Sequence, residues 1–225
     1  MNRFDSLRTK ANIYAHFIGP ALYLGAIGMY VFGIGLNSDG FSSYVEGVLG
    51  VYAMMFFVLI HLTSAKLIGQ EKPFFGLFLY LFGLMGACGG VFATGYRVVI
   101  GSLDKSGLPA ETMVRYMAER ETHWEMLAMA PATLAVPLVT ILIGIGIMML
   151  KSNHIKRYIG PVLILGGIAF LLAQGTETYW GLHYFYPLAG LCWLVAYGSL
   201  GAYYLKTTKF EKSHLRVMEW QQRLP

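Results

Sequence analysis

Charge is what this sequence has least of. Only 13% of its 225 residues are Asp, Glu, Lys or Arg, while 56% are hydrophobic; soluble domains carry about 25% charged residues. A shortage on that scale excludes an ordinary soluble domain and points to a chain that meets lipid. Disorder is excluded as well, because 15% of the residues are aromatic and disordered segments are poor in aromatics and rich in charge. Cysteine is nearly absent. Cys88 and Cys192 both lie inside apolar runs, so neither a disulfide framework nor a CxxC motif can be built, and both read as small packing residues. There is no Gly-rich phosphate loop, no GxSxG nucleophile elbow and no HExxH zinc motif. The cysteine pairs of thiol-redox membrane proteins and the dense histidine boxes of membrane hydroxylases are missing too.

What is present is a set of six apolar runs. They lie at about 13–36, 47–65, 74–96, 126–150, 158–173 and 184–205, each long enough, or nearly so, to cross about 30 Å of hydrocarbon at 1.5 Å per residue. The fifth is the shortest. Gly and Pro inside the runs (Gly19–Pro20, Pro131, Pro137, Gly160–Pro161) would weaken soluble helices but are common in membrane ones. Spacings such as Gly86–Gly90 and Gly144–Gly146 allow helices to approach closely.

The net charge of +5 is distributed in a way that argues against nucleic acid. Thirteen of the 17 Lys and Arg residues fall in the N-terminal segment, the 2–3 loop, the 4–5 loop and the tail. By the positive-inside rule those segments, and with them both termini, are cytoplasmic. The predicted fold is therefore all-α: a single-domain, polytopic six-helix membrane bundle, expected in a bacterial or archaeal cytoplasmic membrane. It carries one outer loop over 97–123 and a basic cytoplasmic tail over 206–225. Within the outer loop, the pattern from Pro109 suits a short amphipathic helix at the interface, and the tail suits a surface anchor on anionic lipid.

"KANIYAHFIGPALYLGAI" (Lys10–Ile27) aligns without gaps on "KSNHIKRYIGPVLILGGI" (Lys151–Ile168), with nine of 18 positions identical. A parallel repeat of this kind is one signature of membrane carriers. Its simpler reading is that Gly-Pro is a good start for a membrane helix, since Pro is tolerated in a first turn. Where the second segment has Arg157, the first has His16.

Ionisable groups inside hydrocarbon are costly, and by default they mark function. The six runs contain two, His16 and His61. They lie roughly 5 Å and 7–8 Å from the cytoplasmic ends of helices 1 and 2, so adjacent helices can present both rings at similar depth. On the opposite side His123 and His183 open helices 4 and 6. One histidine pair near each face is the arrangement a transmembrane cytochrome b uses to hold haem. The outer side offers a second set, Glu121, His123, Glu125, Glu177 and His183, whose imidazoles and carboxylates can bind Cu, Fe or Zn. Its ordinary reading is a solvated collar beyond an aromatic belt.

Three functions follow as expectations. The first is a membrane redox subunit bearing haem b or a transition metal, exchanging electrons with quinone or within a larger membrane complex. The second is a small-solute transporter or channel. The third is a non-catalytic structural subunit. In each the bilayer is the primary partner, together with other membrane subunits or further copies of the chain.

Overall fold

The computed structural model describes residues 3–37, 43–107, 112, 124–151, 155–176 and 181–221, of which 124–133, 175–176 and 208–221 are described by their backbone alone. Each apolar run lies mainly in one helix, although the first helix stops at Val31 and residues 32–35 form a turn inside the expected run. The described α-helices are α1 (Arg3–Val31), α2 (Tyr44–Gly69), α3 (Pro73–Lys105), α4 (Trp124–Met148), α5 (Ile159–Thr176) and α6 (Tyr186–Gln221), with a π-helical turn, Gly181–Phe185, leading into α6. The only β pairing among the described residues is an isolated bridge between Leu36 and Ser43. Three helical stretches, Tyr44–Gly69, Pro73–Lys105 and Gly181–Thr207, are long and apolar enough to cross a membrane, and Leu134–Met148 and Ile159–Gln174 are shorter apolar helices. The chain is thus an all-α membrane protein with transmembrane helices.

The helices begin where local chemistry favours it. Ser43 caps α2: its side chain accepts from the Glu46 N–H at 3.2 Å, and Glu46 Oε2 accepts from the Ser43 N–H at 3.3 Å. This reciprocal box satisfies two of the donors a helix start leaves open. Pro73 sits at the first position of α3, where its missing N–H costs nothing. The turn before α2 needs Gly35, which has φ of 65° and would place a side chain against Val45.

Several helices outrun their apolar cores. α1 starts at Arg3, ahead of the apolar run, and α6 continues through the basic tail to Gln221. α3 runs on through Arg97 to Lys105, so the segment expected to open the outer loop is helical. Pro20 departs from its expected role too. Pro161 does lie in the first turn of α5, but Pro20 lies deep inside α1. Having no N–H, it cannot close the helical bond to the carbonyl of His16.

Each helix packs on its successor and α6 returns to pack on α1, so the six close into a ring; α2 also reaches α4. Glycines set the closest approaches. A side chain at Gly86 would meet the Ala135 backbone, one at Gly144 the carbonyl of Gly160, and one at Gly76 the backbone of Gly69. The interior is aromatic, with Tyr23, Phe57, Trp193 and Tyr197 all 2% exposed or less. Outward faces are apolar as well: Phe74 is 90%, Phe92 64% and Leu81 62% exposed, a surface that lipid solvates and water does not. Cys192 is buried and Cys88 exposed.

The helix ends sort into two groups. Arg8, Lys66, Gly76 and Thr207 line one cavity, which gathers the start of α1, the end of α2, the start of α3 and the later part of α6 at one end of the bundle. The Lys151 N–H donates to Glu71 at 3.1 Å and brings the segment after α4 to the same end. At the other end Asn37, Glu46, Arg97 and Tyr186 meet. The two ends carry different chemistry.

Candidate functional site

At the Arg8–Lys66 end, His16 on α1 and His61 on α2 are both fully buried. The His16 Nδ1–H donates to the carbonyl of Asn12 at 2.7 Å. The His61 Nδ1–H donates across helices to the carbonyl of Gly83 at 3.0 Å. A carbonyl can only accept, so in each neutral ring Nδ1 carries the proton and Nε2 keeps its lone pair. Neither Nε2 has a hydrogen-bond partner.

Missing side chains bring both rings in. A Cβ on Gly83 would stand 2.8 Å from the Cβ of His61, and one on Gly201 would stand 2.9 Å from that of His16. The two rings share an aromatic wall. Phe57 packs on His61 with ring centroids 5.6 Å apart, Tyr197 on Phe57 at 5.6 Å, and Tyr197 and Tyr204 on His16 at 6.4 and 5.2 Å. Four buried side-chain N or O atoms among the described residues lack a partner: His16 Nε2, His61 Nε2, Ser64 Oγ and Trp193 Nε1. Each such atom costs about 1–3 kcal/mol, and Ser64 lies on α2 one turn from His61, so the unmet polarity concentrates around the imidazoles.

No family model, curated protein or solved structure matches the chain. The geometry alone carries the functional reading.

At the opposite end stands a cluster whose charged members, Glu46 and Arg97, lie just outside the apolar runs. Glu46, 1% exposed, forms an ion pair with Arg97 of α3. The Tyr186 hydroxyl donates to Glu46 Oε1 at 2.9 Å, accepts from Arg97 Nη1 at 3.2 Å and accepts from the Tyr23 hydroxyl at 3.3 Å. Asn37 Nδ2 donates to the Arg97 carbonyl at 3.1 Å. The carboxylate therefore splits its work, with Oε2 capping α2 and Oε1 receiving Arg97 and Tyr186. A cavity of about 90 Å³ borders Tyr23, Thr94, Arg97, Gln174 and Tyr186. Glu46 lies one residue ahead of the apolar run that begins at Gly47 yet inside α2, so the helix carries an acid that the run does not.

A continuous aromatic column joins the two ends. Its ring centroids step from Tyr186 to Tyr23 (6.0 Å), Trp193 (5.1 Å), Phe57 (5.5 Å) and His61 (5.6 Å).

The outer candidates fare differently. His183 sits half-buried in the π-helical turn with its ring 5.9 Å from that of Tyr30. Glu121, His123, Glu177 and, Thr112 apart, the amphipathic segment from Pro109 lie outside the described residues, as does the side chain of Glu125. No group of three or more His, Cys, Asp or Glu that could hold a metal occurs among the described residues.

Proposed function

We propose that the chain is an integral-membrane redox subunit that holds one haem b between His16 and His61 and works with quinone or within a larger membrane complex. The observation that carries this reading is the state of the two imidazoles: buried, fixed at Nδ1 by backbone carbonyls, and unpartnered at Nε2. A ligating histidine has this arrangement, because the second-ring hydrogen bond sets the tautomer and aims the free lone pair. The size of the donor set favours haem over a bare ion. Tetrahedral zinc takes three or four protein ligands, whereas two imidazoles complete the coordination of an iron that already has four porphyrin nitrogens.

Haem supplies a one-electron couple when bound. The chain's own residues supply the rest. Asn12 and Gly83 hold the ring orientations, while Phe57, Tyr197 and Tyr204 exclude water and keep the surroundings apolar. At the other end, the Tyr23–Tyr186–Glu46 chain is a run of hydroxyl and carboxylate groups at hydrogen-bond spacing, suited to passing a proton. The six-span topology with both termini in the cytoplasm of a bacterium or archaeon belongs to this proposal and rests on the division of Lys and Arg. One haem, rather than one at each face, suits a site with two free Nε2 atoms at a single end.

The test is the absorption spectrum of the purified protein, oxidised and dithionite-reduced. The proposal expects a haem spectrum that shifts on reduction. A protein free of haem and of stoichiometric Fe, Cu and Zn contradicts it. A second reading, a small-solute transporter, draws support from the intramembrane ion pair Glu46–Arg97, since such pairs mark substrate and ion paths. Substrate-dependent flux in liposomes that is lost in Glu46→Gln would favour that reading over the first.

A further inference from the structure

The Arg8–Lys66 end of the bundle contains a cavity of about 760 Å³ between α1, α2, α3 and α6. Among the described residues its lining carries two cations, Arg8 and Lys66, and no acidic residue. Arg8 also pairs with Asp5 at 3.1 Å, but that pair is exposed, with side-chain accessibilities of 59% and 36%. An exposed pair of this kind contributes little and leaves the guanidinium available to a ligand. The wall is graded along the helix axes. Arg8 and Lys66 stand at the end of the bundle, Asn12 and Thr63 come next, and Ile13, Leu59 and Leu62 lie deeper. Leu59 is about 10 Å below Lys66 at the rise of an α-helix. The cavity is therefore cationic at its mouth and apolar in its depth.

We infer that this cavity is a binding site for an anionic phospholipid, with the phosphate held by Arg8 and Lys66 and an acyl chain lying along Leu59 and Leu62. Charge complementarity selects the occupant. A zwitterionic lipid brings its own cation to the mouth, and a quinone is neutral, so neither answers the positive surplus that Arg8 and Lys66 leave against the single exposed carboxylate of Asp5. Basic pockets between membrane helices recognise anionic headgroups on this principle. Asn12 and Tyr204, both in contact with His16, form part of the wall, so the lipid borders the imidazole layer. The inference does not depend on what the imidazoles bind.

The test uses the full chain in nanodiscs of equal phosphatidylglycerol and phosphatidylcholine with identical acyl chains, followed by native mass spectrometry of the retained lipid. Wild type is expected to retain one phosphatidylglycerol in preference to phosphatidylcholine. Arg8→Gln/Lys66→Gln is expected to lose that preference by roughly tenfold or more. Lys151→Gln/Lys156→Gln removes the same charge from exposed positions outside the cavity and is expected to leave it intact. Leu62→Trp fills the depth without changing charge and is expected to weaken retention of either lipid, with the melting temperature of each variant checking its fold. The inference is overturned if wild type shows no preference, if both charge pairs lower it equally, or if a quinone or a free fatty acid is the species retained.

Discussion

Removing Arg97 should be among the most damaging single changes in this protein. Glu46 is 1% exposed and receives the Ser43 N–H, the Tyr186 hydroxyl and the Arg97 guanidinium. Arg97→Met keeps most of the side-chain volume and the two neutral donors but leaves a carboxylate that is 1% exposed without its cation. Two unit charges about 4 Å apart attract by about 4 kcal/mol at an effective dielectric constant of 20. Breaking a buried pair by deleting one partner costs about 3–5 kcal/mol. The two figures agree, and the loss is a large share of the ~5–15 kcal/mol that holds a typical domain together. Glu46→Gln/Arg97→Met removes both charges and should return most of that loss, because the uncompensated charge, rather than the lost attraction, dominates the single variant. The assay is reversible unfolding by SDS titration in mixed micelles, run on wild type, both single variants and the double variant. A cost below about 1 kcal/mol for Arg97→Met, or a double variant no more stable than the single one, refutes the reasoning, since either would place the carboxylate in contact with water.

Further expectations follow from the packing. Tyr186→Phe deletes a hydroxyl that serves Glu46, Arg97 and Tyr23 together and should cost about 1–3 kcal/mol in the same unfolding assay. Gly76→Ala drives a methyl into the Gly69 backbone; since backbone cannot rotate away, a loss at or above the usual ~1–3 kcal/mol for overpacking is expected. Gly28→Ala in α1 meets nothing within 4 Å and should be neutral or stabilising by up to about 1 kcal/mol. Equal melting temperatures for these two glycine variants would contradict the helix contacts described. Gly83→Ala should displace the His61 ring without altering any candidate ligand, so a spectral change in that variant, with bound iron retained, separates ring positioning from ligand loss.

The positions of the apolar helices were legible because a backbone in hydrocarbon must satisfy itself internally, which ties long apolar runs to helices. His16 and His61 were legible for a related reason: an ionisable group in such a run stands out against its neighbours. Glu46 and Arg97 were not, since each lies one residue beyond an apolar run, next to Gly47 and Tyr96. A run boundary drawn by hydropathy discards the charged residues that a long helix carries just past it. A local signal for Glu46 did exist in the Ser-x-x-Glu spacing of Ser43 and Glu46, a capping box that sets the start of α2 before the run begins. Nothing local marks Arg97 as its partner, and the role of Tyr23 and Tyr186 depends on closure of the ring by α6 against α1. Pro20 shows the same limit from another side. Its Gly-Pro context matches that of Pro161, yet only the continuation of α1 back to Arg3 places it four residues after His16 in an unbroken helix.

The proposed site holds one haem through the free Nε2 atoms of His16 and His61. Its most direct test is the haem and iron content per chain of purified wild type, His16→Ala and His61→Ala, measured beside a melting curve for each. One haem per wild-type chain, lost in either variant while the fold persists, is the predicted result. Haem content unchanged in both variants, or no haem in the wild type, would contradict it.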